Sequence, residues 1–475
     1  MTAASRLSRA PAGTEASAFP VVVIGAGPIG LAAAAHLLAR GGSPIVLEAG
    51  DAVGASIRDW GHVRLFSPWK YLVDAASRAR LEARGWVMPD GEELPTGREL
   101  VERYLEPLAA IPDLASTIRL GHRVTAVTRH GFDKVKSAGR DEAPFEVVVE
   151  RQDGRRERIL ARAVVDASGT WASPNPLGAS GLPLAGEAAA SARISYRIPD
   201  ALGADRARYA GKRTLVVGSG HSAFNALLDL ARLAVDAPGT EVTWAVRRPE
   251  VGLMYGGGSR DALGARGRLG ERLQALVEDR FVTLVLGFRA ARIASDAGGV
   301  TIEDENGRAL GPFDELVVTT GFRPDLGPTR ELRLALDAWL ESPVQLAPLI
   351  DPNVHSCGTV YPHGAAELAH PEKDFYVVGM KSYGRAPTFL LLTGYEQVRS
   401  VVAKLAGDEQ AAREVRLVLP ETGVCSTDLA GASACCGTSD GGKAAVAGSC
   451  GITSPCASAA TAAVATTSVT TSCCG

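Results

Sequence analysis

The stretch Val21-Val22-Val23-Ile24-Gly25-Ala26-Gly27-Pro28-Ile29-Gly30 decides the fold. β-Branched residues make an apolar strand, glycines make a tight turn, and residues 31–40 beyond them are a run of Ala and Leu suited to a helix. In such a strand–turn–helix the second glycine lets the backbone approach a pyrophosphate, and the helix turns its N-terminal amides and dipole toward the phosphate charge. The arrangement returns at Leu215-Val216-Val217-Gly218-Ser219-Gly220-His221-Ser222-Ala223. Glycine-rich turns also occur in doubly wound proteins that bind no dinucleotide, so one alone decides little. Two, each between an apolar strand and a helix, predict an α/β protein with two Rossmann-like dinucleotide-binding units.

The strand after each loop distinguishes the dinucleotide it suits. Past the first loop, Gly41-Gly42 ends the helix and Pro44-Ile45-Val46-Leu47-Glu48 is a second strand tipped by a carboxylate. Glu48 stands roughly 20 residues beyond the loop, where an acid accepts the ribose hydroxyls of an adenosine without a 2′-phosphate. That suits FAD or NAD, with Gly25, Gly27, Pro28 and Gly30 at the pyrophosphate. Past the second loop, residues 224–235 read as a helix and 241–246 as a strand that ends in Arg247-Arg248. Guanidinium groups fork onto phosphate oxygens, so this pair predicts NADPH, with Gly218, Ser219, Gly220, His221 and Ser222 on its phosphates. Asn225, one turn further on, reads as a helix-packing amide.

The duplication extends past the loops. Phe145-Glu146-Val147-Val148-Val149-Glu150, Asp153-Gly154 and Ile159-Leu160-Ala161 form a predicted hairpin that feeds the strand Val164-Val165-Asp166-Ala167-Ser168-Gly169-Thr170. Val300-Thr301-Ile302-Glu303 and Asn306-Gly307 feed Leu316-Val317-Val318-Thr319-Thr320-Gly321 in the same way.

The ends of those two strands, Ser168-Gly169-Thr170 and Thr319-Thr320-Gly321-Phe322-Arg323-Pro324-Asp325, match the flavoproteins with two dinucleotide-binding domains. That superfamily includes flavin-containing monooxygenases, thioredoxin reductases and glutathione reductase-like enzymes, and the chain resembles it over about residues 21–407. The resemblance implies FAD in the first unit, NADPH in the second, and hydride transfer from nicotinamide to flavin where they meet. It adds Ser168, Gly169, Thr170, Thr320 and Gly321 to the cofactor-binding candidates. Asp374-Phe375-Tyr376-Val377-Val378-Gly379, followed by helix-like residues 389–405, resembles the closing FAD strand and helix, with Gly379 at the cofactor and Met380 where an acid is usual. The implied organisation is a FAD-binding segment over residues 20–205, an NADPH-binding unit over 206–315 inserted into it, and a second FAD-binding segment over 316–415.

Disulfide reductases of this superfamily pass electrons through a cysteine pair beside the flavin. Neither the segment after Glu48 nor the NADPH unit contains a cysteine. Gly169-Thr170-Trp171-Ala172-Ser173-Pro174-Asn175-Pro176, with Gly181-Leu182-Pro183 and Gly186 beyond, resembles the linker of flavin-containing monooxygenases, although their histidine-centred signature is missing from residues 188–209. The expected activity is FAD- and NADPH-dependent monooxygenation of a small soft-nucleophile substrate by molecular oxygen. An NADPH-dependent reductase without oxygen insertion, and a metalloid-binding or redox-sensing flavoprotein, remain open alternatives. Residues 59–71 fall where the superfamily loops over its flavin. Trp60, His62, Arg64, Phe66, Ser67 and Trp69 there either line the flavin and substrate space or simply cap the domain, with Trp60 and Arg64 the catalytic candidates.

Composition agrees with a nucleotide-binding enzyme. The 475 residues accommodate two such units with a tail to spare, and Lys+Arg 50 against Asp+Glu 53 leaves no basic stripe for nucleic acid. Residues 1–19 read as a disordered leader rather than a signal peptide, and 21–38, though apolar, as strand, turn and helix rather than a membrane span. A cytoplasmic location is expected. Residues 420–475 collapse into Ala, Ser, Thr and Gly, a low-complexity composition expected to stay disordered. That tail holds all but one of the 8 cysteines, including the vicinal pairs Cys435-Cys436 and Cys473-Cys474. Reduced thiolate pairs suit a soft metal or metalloid ion, and a passive tail is the alternative. Inside the fold, Cys357 lies between His355 and His363, a candidate activated thiol or a buried inert one. With its tail, the chain resembles, more loosely, the flavin-dependent monooxygenases of arsenic-resistance operons, which would make a trivalent arsenical a substrate.

Overall fold

The computed structural model describes residues 19–256, 263–354, 363–387 and 389–417. Cys357 and the tail cysteines, Cys435, Cys436, Cys473 and Cys474 among them, lie outside the described residues, as does the leader.

Two five-stranded parallel sheets carry the chain. The first runs in the order Phe375–Val377, Ala163–Asp166, Val21–Ile24, Pro44–Leu47, Ile118–Arg119. The second runs Thr283–Val285, Glu241–Ala245, Arg213–Val217, Glu315–Val318, Ile194–Ser195. Aligned on their glycine-loop strands, the two sheets correspond strand for strand. Ile194–Ser195, which precedes its unit, stands where Phe375–Val377, which closes the first unit, stands in its sheet. The duplication read from the sequence is therefore complete at the level of topology.

Ile194–Ser195 pairs into the second sheet from before the 206–315 span expected from sequence, and Glu315–Val318 starts at the last residue of that span and runs past it. A two-residue strand carries no periodicity, and its sheet is chosen only by tertiary pairing.

Each sheet is covered in the same manner. On one face of the first lie the helices Pro28–Ala39 and Leu391–Leu405. Ala32, Ala33, Ala34 and Ala35 are wholly buried there, and side chains this small let helix and sheet approach closely. The opposite face packs on a three-stranded antiparallel sheet, His122–Arg129, Phe145–Arg151 and Arg156–Ala161, through Val127, Phe145, Val147 and Val149. In the second unit the helices His221–Asp236 and Gly264–Glu278 form one layer, and Ala290–Asp296, Gly299–Asp304 and Ala309–Phe313 form the other. The chain crosses between units twice, and the crossings lie side by side: Pro174 bridges Phe322, and Arg323 Nε donates to Asn175 Oδ1 at 2.8 Å. Among the described residues, no helix is long and apolar enough to cross a membrane.

Candidate active site

The first glycine loop separates three tasks among three residues. Gly25 has φ +99°, in the left-handed region, and a Cβ there would lie 2.8 Å from Ala167 O. A Cβ on Gly30 would lie 1.9 Å from Gly25 O, so this glycine lets the helix pack on the turn. At Gly27 a Cβ would meet nothing within 4 Å. This is the open cradle a pyrophosphate needs, and Gly27 caps the helix Pro28–Ala39 with no side-chain hydrogen bond to its amides. Pro28, at the first helical position, has no N–H to leave unpaired.

The second loop repeats the design. Gly218 has φ +134° with Thr319 O 2.4 Å from an added Cβ, Gly220 is open, and Ala223 takes the close-packing position, wholly buried. Gly220 begins the helix His221–Asp236, again without a side-chain cap. The indole N–H of the buried Trp244 donates to Gly218 O at 2.6 Å and pins the turn from below.

Glu48 sits at the tip of its strand as expected, and its carboxylate folds back over the loop. Oε2 accepts the Ala26 amide at 2.7 Å and Oε1 the Gly50 amide at 2.8 Å, which leaves lone pairs for sugar hydroxyls. Arg247 and Arg248 follow the corresponding strand of the second unit, Arg247 exposed and Arg248 half-buried. The strand-end residues Ser168-Gly169 and Thr320-Gly321 flank the two glycine loops, with Gly218 packed on Thr319 and Gly25 on Ala167. The Thr320 hydroxyl donates to Asn175 O at 3.0 Å and so also braces the crossing.

Residues 59–71 lie between the units, but their side chains do not share one task. Phe66 reaches the second unit: its ring lies 5.2 Å from that of His221, the first residue of the nucleotide helix, and the guanidinium of the buried Arg266 stands 5.9 Å from the Phe66 ring centre. His62 Nε2 is buried without a hydrogen-bond partner. Burial pushes the Asp229 carboxyl up; His62 opposes that shift, Asp200 adds to it, and Arg272 and Arg232 oppose it. Trp60 rests on the Gly97 backbone. Arg64 is tied to its own unit, donating to Leu94 O and standing 3.9 Å from Glu99. Trp69 is a correction: it is wholly buried in the core of the first unit, with the Arg103 guanidinium 5.4 Å over its ring, and lines no open space. Its place in an aromatic-rich loop gave it the same sequence signature as its neighbours.

Two groups of residues were not singled out from the sequence. At the junction of the units, Asp59 accepts from Trp171 Nε1 at 2.8 Å and Arg197 at 2.7 Å, and Trp171 stacks on Phe322 at 4.9 Å. Beneath the first loop, the buried Lys381 places Nζ 2.7 Å from Asp166 Oδ2 and 3.0 Å from Ser168 Oγ. Ser168 in turn donates its hydroxyl to Asp166 Oδ1 at 2.6 Å. Asp166 stood inside the strand read as Val164–Thr170 with no role assigned to it, and nothing local marks Lys381.

Two open, uncapped loops with an acid-tipped and an arginine-tipped second strand are the parts of an enzyme that holds two dinucleotides. Residues 22–352 match the pyridine nucleotide-disulphide oxidoreductases. The chain belongs to that family. A rice (Oryza sativa subsp. japonica) indole-3-pyruvate monooxygenase, YUCCA1, is 32% identical over 217 residues, 44% of this chain and 45% of that protein, so the chain spans under half the length of this relative. A ferredoxin–NADP reductase of Acidovorax is 28% identical over 332 residues, 69% of this chain and 77% of that protein. The solved bacillithiol disulfide reductase of Bacillus cereus superposes with a TM-score of 0.59 at 20% identity, covering 82% of this chain and 99% of its own, a likeness of fold. This chain is thus a member of an oxidoreductase family that works with pyridine nucleotides. Despite the family's name, it has no cysteine between residues 22 and 352. Among the described residues no cluster of three or more His, Cys, Asp or Glu is placed to hold a metal.

Proposed function

We propose that the protein is an NADPH-dependent flavin monooxygenase that oxidises a small soft nucleophile, a thiol, a thioether or a trivalent arsenical, with molecular oxygen. The carrying observation is a complete pair of dinucleotide loops with no cysteine over residues 22–352 to take electrons from the flavin as a dithiol. FAD would lie on Gly25, Gly27, Pro28 and Gly30, with Glu48 at its ribose, Ser168-Gly169-Thr170 at the strand end and Gly379 at the closing strand. NADPH would lie on Gly218, Ser219, Gly220, His221 and Ser222, with Thr320-Gly321 beside it and Arg247-Arg248 on the 2′-phosphate. Bound FAD supplies the chemistry, accepting hydride from the nicotinamide and delivering electrons to oxygen. Phe66 and His62 close the space between the units and exclude water from it; Trp60 and Arg64 brace the wall behind them. The paired tail cysteines would hold a soft ion, a role supported by their sequence alone.

The second reading, a reductase without oxygen insertion, draws on the 69% of the chain that aligns with the ferredoxin–NADP reductase. NADPH oxidation under labelled oxygen separates the two. A monooxygenase transfers one labelled atom to a substrate in a panel of thiols, thioethers and arsenite; no label in any product, with NADPH oxidised without oxygen at an undiminished rate once an artificial acceptor such as ferricyanide is supplied, would establish the reductase. Replacing Arg247 and Arg248 together with Ala should raise the KM for NADPH about tenfold or more and spare NADH, given ~1.5–3 kcal/mol for a charge-assisted hydrogen bond.

A further inference from the structure

Asp166 ends the central strand Ala163–Asp166, in register with Ile24 on one side and Val377 on the other. It therefore stands at the carboxyl edge of the first sheet, where open α/β sheets bind their ligands. Its carboxylate is held by Lys381 from below, and both side chains are almost wholly buried, 2% and 3% exposed. A buried ion pair is no better for stability than a well-packed apolar pair of the same volume. The hydrogen bonds of the third member, Ser168, which is exposed on the crevice side, show what the pair does.

A serine hydroxyl has one proton and two lone pairs. At Ser168 the proton goes to Asp166 Oδ1 at 2.6 Å, and one lone pair receives Lys381 Nζ at 3.0 Å. The Ser168 amide is also turned to Asp166 Oδ1, at 3.1 Å. One acceptor site is left, facing the crevice. Ser168 can thus receive a hydrogen bond and cannot give one. Phosphate oxygens only accept, whereas the sugar and ribityl hydroxyls of a flavin dinucleotide can donate. The closing strand contributes no carboxylate for such a hydroxyl, because Met380 follows Gly379 and the Gly379 amide is committed to Gln397 Oε1 at 2.7 Å.

We propose that Lys381 is a positioning residue for FAD: with Asp166 it locks Ser168 as an acceptor for a hydroxyl of the dinucleotide's polyol part, replacing the carboxylate absent at Met380. This rests on FAD occupying the first unit. The test removes FAD from the holoprotein and titrates it back by fluorescence quenching, with thermal melts of the FAD-free forms beside it. Asp166→Asn with Lys381→Met removes both buried charges together. The FAD-free melt should stay close to that of the unaltered chain, while the Kd for FAD rises about tenfold, the loss of one oriented hydrogen bond, and the visible absorption and circular dichroism of the bound flavin shift. Ser168→Ala alone should raise the Kd by the same factor, and added to the paired change it should cost nothing more, since all three alterations remove one interaction. Should the paired variant not fold, Ser168→Ala carries the test by itself. An unchanged Kd and flavin spectrum in the paired variant or in Ser168→Ala, or fully additive losses, would overturn the role of Lys381 while leaving FAD binding in place. Failure of the unaltered protein to take up FAD would overturn the first-unit reading as well.

Discussion

Gly27 and Gly30 are three residues apart and look alike in the sequence, yet a Cβ at the first meets nothing within 4 Å and at the second lies 1.9 Å from Gly25 O. Their substitutions should therefore fail in different ways. Gly27→Val should match the thermal stability of the FAD-free unaltered protein and lose FAD, because its Cβ meets no protein atom within 4 Å and the added methyls fill the cradle. Gly30→Ala should lower stability by about 1–3 kcal/mol or more, since backbone must move to admit the methyl, and should lose FAD only as the fold loosens. Melting curves with flavin absorbance separate the two; a Gly27→Val protein that retains stoichiometric FAD would show that the pyrophosphate does not lie there. The loops and Glu48 were legible from sequence because strand, turn, helix and acid are written within a few tens of residues. Lys381 was not, because its partner Asp166 is 215 positions away and no local pattern joins them.

Elements follow the same division between local and distant information. The hairpin strands Phe145–Arg151 and Arg156–Ala161 alternate or run apolar beside an Asp-Gly turn and were readable. Their neighbour His122–Arg129 was not, for it carries His122, Arg123, Thr125, Thr128 and Arg129 and is buried chiefly at Val127 and Arg129. Arg129 is buried there against Glu372, at 2.7 Å, and the carbonyls of Ala143 and Lys373, partners of which Glu372 and Lys373 lie 243 and 244 positions away. The helix Ala75–Glu82 gives a case with a measurable pH signature. Its N-cap Asp74 accepts from the Ser77 amide at 2.8 Å and the Ser77 hydroxyl at 2.9 Å, and lies 2.9 Å from His36 Nε2. Burial acts to raise the Asp74 carboxyl pKa, but hydrogen bonding and charge from His36 with the Ser77 donors more than offset it and hold it below the usual carboxylate value; the other group packed on it, Tyr104, takes the Asp74 amide. A carboxylate whose pKa is depressed on folding stabilises the fold above its unfolded value of ~3.9, and that contribution fades as pH falls through the lower folded value. Asp74→Asn should therefore be less stable than the unaltered protein at pH 7, and the gap should narrow steadily below about pH 4. Urea titrations at several pH values measure it; a gap that is constant down to pH 3 would show that the Asp74 charge contributes nothing.

At the scale of the whole molecule, two units of the same design are joined at the two crossings, and the sequence announced the units but not their joint. The joint is built from single residues of four separate segments: Asp59 after the first unit's loop, Trp171 and Phe322 on the two crossings, and Arg197 at the approach to the second unit. No periodicity or spacing marks such a set, because its members are chosen by where the chain passes and not by the element each belongs to. Asp59 is its hub, since it accepts from both Trp171 and Arg197. The ion pair is half-exposed, worth ~0.2–1 kcal/mol by itself, and the indole hydrogen bond adds about 1 kcal/mol. That is small against the ~5–15 kcal/mol by which a domain is stable, so its loss should not unfold either unit. Asp59→Ala should consequently leave FAD content, the Kd for NADPH and the melting temperature nearly unchanged. Hydride transfer between two bound rings depends steeply on their distance and alignment, so the rate constant for flavin reduction at saturating NADPH should fall several-fold, read by anaerobic stopped-flow absorbance. If the rate is unaltered with both nucleotides bound, the units are oriented by other contacts, with Phe66 against His221 the next to be tested; if FAD or NADPH affinity falls instead, Asp59 belongs to a binding site and not to the joint.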